Sequence, residues 1–409
     1  MFHLRFFGLG LCLSALVACQ PSRSPSSMTQ DTTATPTRGT YAYDVDFLKQ
    51  HTHQVLELIR GDARVLLSAD YQGRVMTSTA TGTNGTSYGW LNYDLMASGA
   101  RSAQFNPVGG EERFWLGPEG GQYSVYFAEG APYDMAHWQV PGLIETVAYE
   151  VVEADDRHAV FTKTAQLTNH SGTRFDLAIR RAVTLLSRQE LGQRLGVALP
   201  DGVATVGYET DNRLTNAGPT AWTEEEGLLS IWLLGMLTPS PQTKVIVPFR
   251  PRPDAAAHIT DTYFGTIPDD RLQRLDSVLV LTCDGRFRSK IGMTPVLSKG
   301  VAGSYDFARN LLTCIFFPVE ENGLYVKSTW EHHDHPYRGD VVNAYNDGPL
   351  ADGSQLGPFY ELESSSAVRP LLPGETQTYR QVTCHFQGEY AALRQLAQQL
   401  LGVDLEQVK

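Results

Sequence analysis

Runs dense in β-branched and aromatic side chains recur along the middle of the chain: 122-QYSVYFA-128, 146-TVAYEVV-152, 159-AVFTKTAQLT-168, 174-RFDLAIRRAVTLL-186, 228-LLSIWLLGM-236, 277-SVLVLTC-283 and 311-LLTCIFFP-318. Several alternate with a period of two, and Gly, Pro, Asn and Asp punctuate them, the pattern of pleated strands joined by turns. The tetrapeptide 169-NHSG-172 falls between two of these runs, where a hairpin turns. No repeat of fixed period is present, which argues against a propeller or solenoid. Helical spacing appears only towards the ends. Residues 44–59 place Phe47, Leu48, His51, Val55, Leu58 and Ile59 three and four apart, and residues 389–401 do the same with Tyr390, Leu393, Leu396, Ala397 and Leu400. The expectation is an all-β domain of two large packed sheets with short terminal helices.

The N-terminus sets where such a domain works. Residues 1–19, MFHLRFFGLGLCLSALVAC, combine Arg5, an apolar stretch from Phe6 to Val17 and small residues before Cys19, the layout of a secretory signal rather than a membrane span. Leu16-Val17-Ala18-Cys19 resembles a bacterial lipobox, in which Cys19 is lipidated and becomes the mature N-terminus. Gln20 after it, rather than Asp, resembles the signal for outer-membrane sorting. Residues 20–40 are rich in Ser, Thr and Pro and nearly free of large apolar side chains, so they form a tether that cannot bury enough surface to order itself. The expected organisation is a leader over 1–19, a tether over 20–40 and one domain over 41–409, with no second linker.

A net charge of −12 argues against nucleic acid and against a basic surface that clasps phosphates. Cys283, Cys314 and Cys384 each sit in an apolar or β-like run, and their spacing fits no metal knuckle. They read as buried thiols, with one disulfide as the alternative in an oxidising compartment. No cofactor motif appears. The glycines of 113-RFWLGPEGGQ-122 lack the Lys-Ser/Thr ending and following helix of a phosphate loop.

Candidate site residues cluster in three places. In 358-PFYELESSS-366, strand alternation puts Phe359, Glu361 and Glu363 on one side, the carboxylates roughly 6.5 Å apart along the chain. That is either a wet face or a binding face. The Gly- and Asp-rich stretch 346-NDGPLADGSQLGP-358 leads into it and brings Asn346 and Asp347. In 330-WEHHDHPYRGD-340, Trp330 and Tyr337 suit stacking on a pyranose ring, while His333, Asp334 and Arg338 suit its hydroxyls. A strand there would put Glu331, His333 and His335 on one face as metal ligands, but Pro336 closes the run and no spaced histidine pair or cysteine supports zinc. Around the tight turn of 113–122, Arg113, Trp115 and Glu119 form either a pocket wall or a structural corner.

An acidic strand, a Leu-Leu-Pro-Gly-Glu turn at 371–375 and a long strand ending in His385-Phe386 together resemble the end of the aldose 1-epimerases. That resemblance implies a galactose-mutarotase-like β-supersandwich. It places the catalytic glutamate at Glu363, because those enzymes carry theirs in a Leu-Glu-Thr-Gln segment before such a turn. The segment 167-LTNHSG-172 similarly resembles the Leu-Thr-Asn-His of the mutarotase acid and implies His170 as its counterpart. The residues after it differ from the mutarotase pattern, and the second mutarotase histidine, in a His-Gly-Gly segment, has no equivalent here. Over residues 41–388 the chain resembles uncharacterised bacterial lipoproteins with this fold, through GGEERFWLGPEGG, 343-NAYNDGP-349 and GPFYELESSS.

A carboxylate and a histidine suit mutarotation, since one takes the anomeric hydroxyl proton while the other protonates the ring oxygen. The implied protein is an outer-membrane lipoprotein of the cell envelope, anchored by lipid, with a carbohydrate partner and epimerase-like chemistry. The alternatives are a non-catalytic glycan-binding lipoprotein, then a polysaccharide lyase or glycoside hydrolase accessory domain, since this fold serves several functions.

Overall fold

The computed structural model describes residues 36–409. The expected leader, Cys19 and most of the tether lie outside the described residues.

Helix α1 (Tyr41–His51) opens at Thr40, whose hydroxyl accepts from the Tyr43 amide and so caps the first turn. It ends at Thr52, and the chain then forms β1 (Val55–Arg60), β2 (Ala63–Ser68) and β3 (Arg74–Thr79), a three-stranded sheet in chain order. The single helix expected over 44–59 is therefore helix and then strand. The run 55-VLELI-59 satisfies both periods in so short a window, and Gly61, with φ of 63°, supplies the left-handed turn that lets 55–60 pair with 63–68.

After α2 (Tyr93–Ser98) come β4 (Arg113–Gly117), β5 (Glu150–Ala154), β6 (His158–Thr168) and β7 (Arg174–Leu185). Next are α3 (Arg188–Leu195), β8 (Ala204–Asn216), β9 (Ser230–Leu237), β10 (Thr243–Pro248) and β11 (Ile259–Thr260). The chain continues through β12 (Leu272–Leu275), β13 (Val278–Thr282), β14 (Ser289–Met293), β15 (Val301–Asp306) and β16 (Leu311–Phe316). It closes with β17 (Val342–Asn346), β18 (Tyr360–Ser365), β19 (Thr376–Gln387) and α4 (Tyr390–Leu401).

Ten strands form one sheet in the order β12-β13-β10-β15-β16-β19-β8-β7-β6-β5, and six form another in the order β11-β14-β17-β18-β9-β4. Every pairing within them is antiparallel. The all-β expectation holds: large antiparallel sheets and few short helices.

Alternation along each strand assigns the faces. Phe114, Leu116, Ile231, Leu233, Ile291, Met293, Val342, Ala344 and Leu362 of the six-stranded sheet share one apolar core with Phe175, Leu177, Ile179, Val245, Val247, Leu279 and Leu281 of the ten-stranded sheet. The opposite face of the larger sheet packs Val280, Leu312, Cys314 and Cys384 under Leu393, Leu396 and Leu400 of α4, where the C-terminal helical spacing is realised. The second face of the six-stranded sheet adds Trp115 and Trp232 to the same apolar cluster and also carries the charged and polar side chains of Arg113, Lys290, Asn343, Glu361 and Glu363.

A buried polar clamp joins the sheets near β4. Arg181, 0 % exposed, donates to the Gly73 carbonyl (3.0 Å), Asn212 Oδ1 (2.6 Å) and Glu112 Oε1 (2.9 Å). Glu112 Oε2 accepts from Gln381 (2.8 Å) and Thr383 (3.0 Å). Beside it, Glu111 Oε1 meets His385 Nε2 at 2.8 Å and accepts from the Ser78 hydroxyl at 2.7 Å. Buried charges persist only when paired and hydrogen-bonded, and Arg181 and Glu112 are both, whereas Glu111 Oε2 has no partner. The clamp fixes the residues immediately before Arg113.

Some expected elements differ. Residues 122–128 are not a strand: Tyr126 and Phe127 are buried as part of an aromatic cover, and the Tyr126 hydroxyl donates to the Leu116 carbonyl at 2.9 Å. The strand expected at 146–152 forms later, at β5, the edge of the larger sheet. Residues 330–340 form turns and bends. Residues 204–216 form β8, whose Asn212 and Arg213 pair in the ladder. The disulfide alternative is corrected as well: Cys283, Cys314 and Cys384 are all free and buried.

Candidate functional site

Burial decides between the wet face and the binding face of β18. Glu363 is 0 % exposed and Glu361 is 7 % exposed. Strand register places Asn343 beside Glu363 on β17 and Leu234 beside it on β9, with Tyr345 and Met236 flanking Glu361. Cross-strand neighbours of this kind share a face.

Glu363 Oε2 accepts from Lys290 Nζ at 3.0 Å and from the Trp232 indole at 3.1 Å, whereas Oε1 has no hydrogen-bond partner. Lys290 also stands 5.3 Å from the Trp232 ring centroid and 5.7 Å from that of Tyr263. Burial alone would drive the Lys290 ammonium down, but Glu363, Glu119 and Glu361 together hold it above its ordinary value. Glu361 pairs with Arg113, whose guanidinium lies 4.7 Å from the Trp115 ring centroid. Burial pushes the Glu361 carboxyl up, Arg113 opposes it, and the negative charge of Glu363 adds to the rise, leaving it at about 7.

Two further carboxyls approach from loops. Glu119 accepts from the Trp330 indole at 3.2 Å, and Asp340 accepts from the Tyr263 hydroxyl. Burial raises both, and both feel Lys290 and Glu363. Gly292 on β14 makes room for this corner, since a Cβ there would run into the Asp340 carboxylate, the Asn343 amide and the Tyr263 hydroxyl.

An aromatic layer closes over the carboxylates. Trp115 contacts Trp232 and Tyr126, each at 5.7 Å between centroids; Tyr126 stacks on Trp138 at 6.3 Å, and Trp138 stacks on Trp330 at 5.8 Å. Trp330 is only half-buried, while Trp115, Trp138 and Trp232 are buried. The outermost ring of the cover is therefore Trp330.

The structure brings Glu363, Glu361, Arg113, Trp115, Glu119 and Trp330 together, sets Asp347 near enough for its charge to act on Glu361, and places the remaining candidates elsewhere. His170 lies in the turn between β6 and β7, with Nε2 2.8 Å from the Ala131 carbonyl and Nδ1 3.2 Å from the Tyr133 hydroxyl. His333, 5 % exposed, sets Nε2 3.1 Å from the Thr329 carbonyl, and its backbone is bracketed by the Gln122 side-chain amide at 2.8 and 3.1 Å. Burial holds its pKa below the ordinary histidine value. Asp334 and Arg338 are exposed, and the Tyr337 hydroxyl donates to the Glu224 carbonyl at 2.7 Å. Asn346 ties down a loop by accepting from the Gly285 amide (2.9 Å) and donating to the Phe287 carbonyl (2.8 Å). Asp347 accepts from the Tyr345 hydroxyl and from the Gly357 amide at 3.0 Å. Sequence reasoning missed Lys290, Trp232, Tyr263, Asn343 and Asp340. The available signal was Lys290, a charge inside the short strand 289-SKIGM-293, which alternation puts opposite Ile291.

A family described as a family of unknown function, DUF6786, matches residues 39–409. The chain belongs to that family. A search of curated proteins returns no match. Among solved structures the chain is similar to a putative aldose 1-epimerase from Escherichia coli, at 12 % identity and a TM-score of 0.49, over 81 % of this chain and 98 % of that one. It is also similar to a galactose mutarotase-like protein from Lactobacillus casei, at 10 % identity and a TM-score of 0.48, over 82 % and 100 %. A putative mutarotase from Salmonella typhimurium is similar at 11 % identity and a TM-score of 0.46, over 81 % and 90 %.

Proposed function

We propose that this DUF6786 member binds and processes carbohydrate on the second face of its six-stranded sheet, held by a lipid at Cys19 in the bacterial cell envelope. The observation that carries the reading is the Glu363 carboxylate. One oxygen is fixed by Lys290 and Trp232, and the other has no partner within a fully shielded site. An unsatisfied buried acceptor costs about 1–3 kcal/mol, which a ligand hydroxyl offsets. Indole faces beside fixed carboxylates are the mixture that a pyranose needs, with apolar ring faces stacked and hydroxyls directed.

In epimerase-like chemistry Glu363 takes the proton of the anomeric hydroxyl through its free oxygen. Glu361, with its pKa at about 7, delivers a proton to the ring oxygen. The bond between C1 and the ring oxygen breaks to give the open aldehyde, which recloses from the other face as the protons return. Glu361 thereby takes the part that the resemblance gave to His170. Entry requires Trp330 and its segment to lift, because the carboxylates are covered. Non-catalytic glycan binding from the same anchor is a second reading, supported by the engagement of Glu361 with Arg113.

The test is a monosaccharide and glycan binding screen on the full chain, wild type beside Glu363→Gln, followed by polarimetry on each hit. Binding retained in Glu363→Gln with anomer interconversion abolished supports the base. Binding without turnover by wild type moves the assignment to the glycan-binding reading, and no binding by wild type refutes both.

A further inference from the structure

We propose that the site is built for a sugar that carries a free amine, and that it rejects sugar acids and sugar phosphates; this rests on the carbohydrate reading of the same site. The charged groups that face it are Glu119, Asp340, Asp347, Glu361 and Glu363 against Lys290 and Arg113, with Arg288 beside Tyr345. Two of these cations are already committed, Lys290 to Glu363 and Arg113 to Glu361. Glu119 and Asp340 receive only neutral donors, the Trp330 indole, the Tyr263 hydroxyl and the Asn343 amide. Five carboxyls therefore stand against three cations, two of which are already engaged by a carboxylate.

An independent observation gives the surplus a direction. Glu363 Oε1 is shielded from solvent and has no partner, so the ligand must bring a donor to it. Among the described residues no three Asp, Glu, His or Cys side chains are placed to hold a metal ion. An ammonium group supplies three donors and a charge, and indole faces such as those of Trp115 and Trp232 favour a cation as well. An anionic sugar would instead bring like charge into a site with little water, where repulsion is poorly screened.

The experiment is titration calorimetry on the full chain with matched sugars on two frameworks: glucosamine, glucose, glucuronate and glucose 6-phosphate, then galactosamine, galactose and galacturonate. The expected result is that one amine binds at least about tenfold more tightly than its neutral partner, about 1.4 kcal/mol, with no binding of the acids or the phosphate. Glu119→Gln and Asp340→Asn should each shrink the amine-to-neutral ratio, a readout that general loss of structure does not produce. A neutral sugar that binds as tightly as its amine, or an acid that binds at all comparably, overturns the inference and leaves the carbohydrate reading standing. If no sugar binds wild type, the carbohydrate reading itself falls and takes this inference with it.

Discussion

Between about pH 5 and about pH 8, the fold should lose most of the stability that protonated Glu361 contributes. The ordinary glutamate value is 4.5, and burial brings this carboxyl to about 7. In that interval the unfolded chain has released the proton while the native state retains it. The native state therefore binds more protons, and stability falls as pH rises. The stabilisation is fully present below the unfolded value and is lost as pH climbs through the folded one. At about 1.4 kcal/mol per pH unit, the loss is about 3 kcal/mol. Other carboxyls raised by burial, among them Asp44 at about 6, Glu119, Glu145 and Asp340, act in the same direction. Comparing wild type with Glu361→Gln separates them, since the others remain in both proteins. The assay is urea unfolding of both proteins across this interval. The expected outcome is a wild-type decline steeper than that of Glu361→Gln by about 3 kcal/mol in total. Parallel profiles would show that Glu361 ionises as an ordinary surface glutamate does, and the assignment of a proton donor at neutral pH would be refuted.

Arg181→Met should destabilise the fold by about 3–5 kcal/mol, because Glu112 is left charged and buried without its partner; a loss below about 1 kcal/mol in urea unfolding would mean that the clamp is not holding the sheets. Trp330→Ala removes the stacked ring above Trp138 and the donor to Glu119. It should speed amide hydrogen exchange in β18 and β9 and cost about 2 kcal/mol, and unchanged exchange would show that the cover lies elsewhere. Cys19→Ser, expressed in a bacterium grown with labelled palmitate, should lose the label that wild type acquires, and equal labelling would dismiss the anchor.

The fold was legible where one period dominated a long window. Residues 159–168 and 174–186 alternate cleanly around Asn169 to Gly172, and they form β6, its turn and β7 almost as read. It was illegible where both periods fit, as at 55–59, and where aromatic residues pack rather than pair, as at 122–128. In the site, Glu361 and Glu363 could be placed on one face because a strand fixes that relation locally. Lys290, Trp232 and Asp340 could not, because their approach to Glu363 depends on which strands become neighbours, and the order β14-β17-β18-β9 is not written in any local pattern. The histidines of 330–340 drew attention as polar residues among aromatics, yet His333 is turned inward against Gly121 and serves the loop's own backbone.

The position of β19 has a bearing on biosynthesis. It lies between β16 and β8 in the middle of the ten-stranded sheet, although it is the last strand in the chain. Until residues 376–387 leave the ribosome, the growing polypeptide holds two half-sheets with open edges facing each other across a missing strand, and Glu112 still lacks Gln381 and Thr383. Domains that need a late segment for their central pairing stay open for most of their synthesis, and open edges recruit chaperones or aggregate.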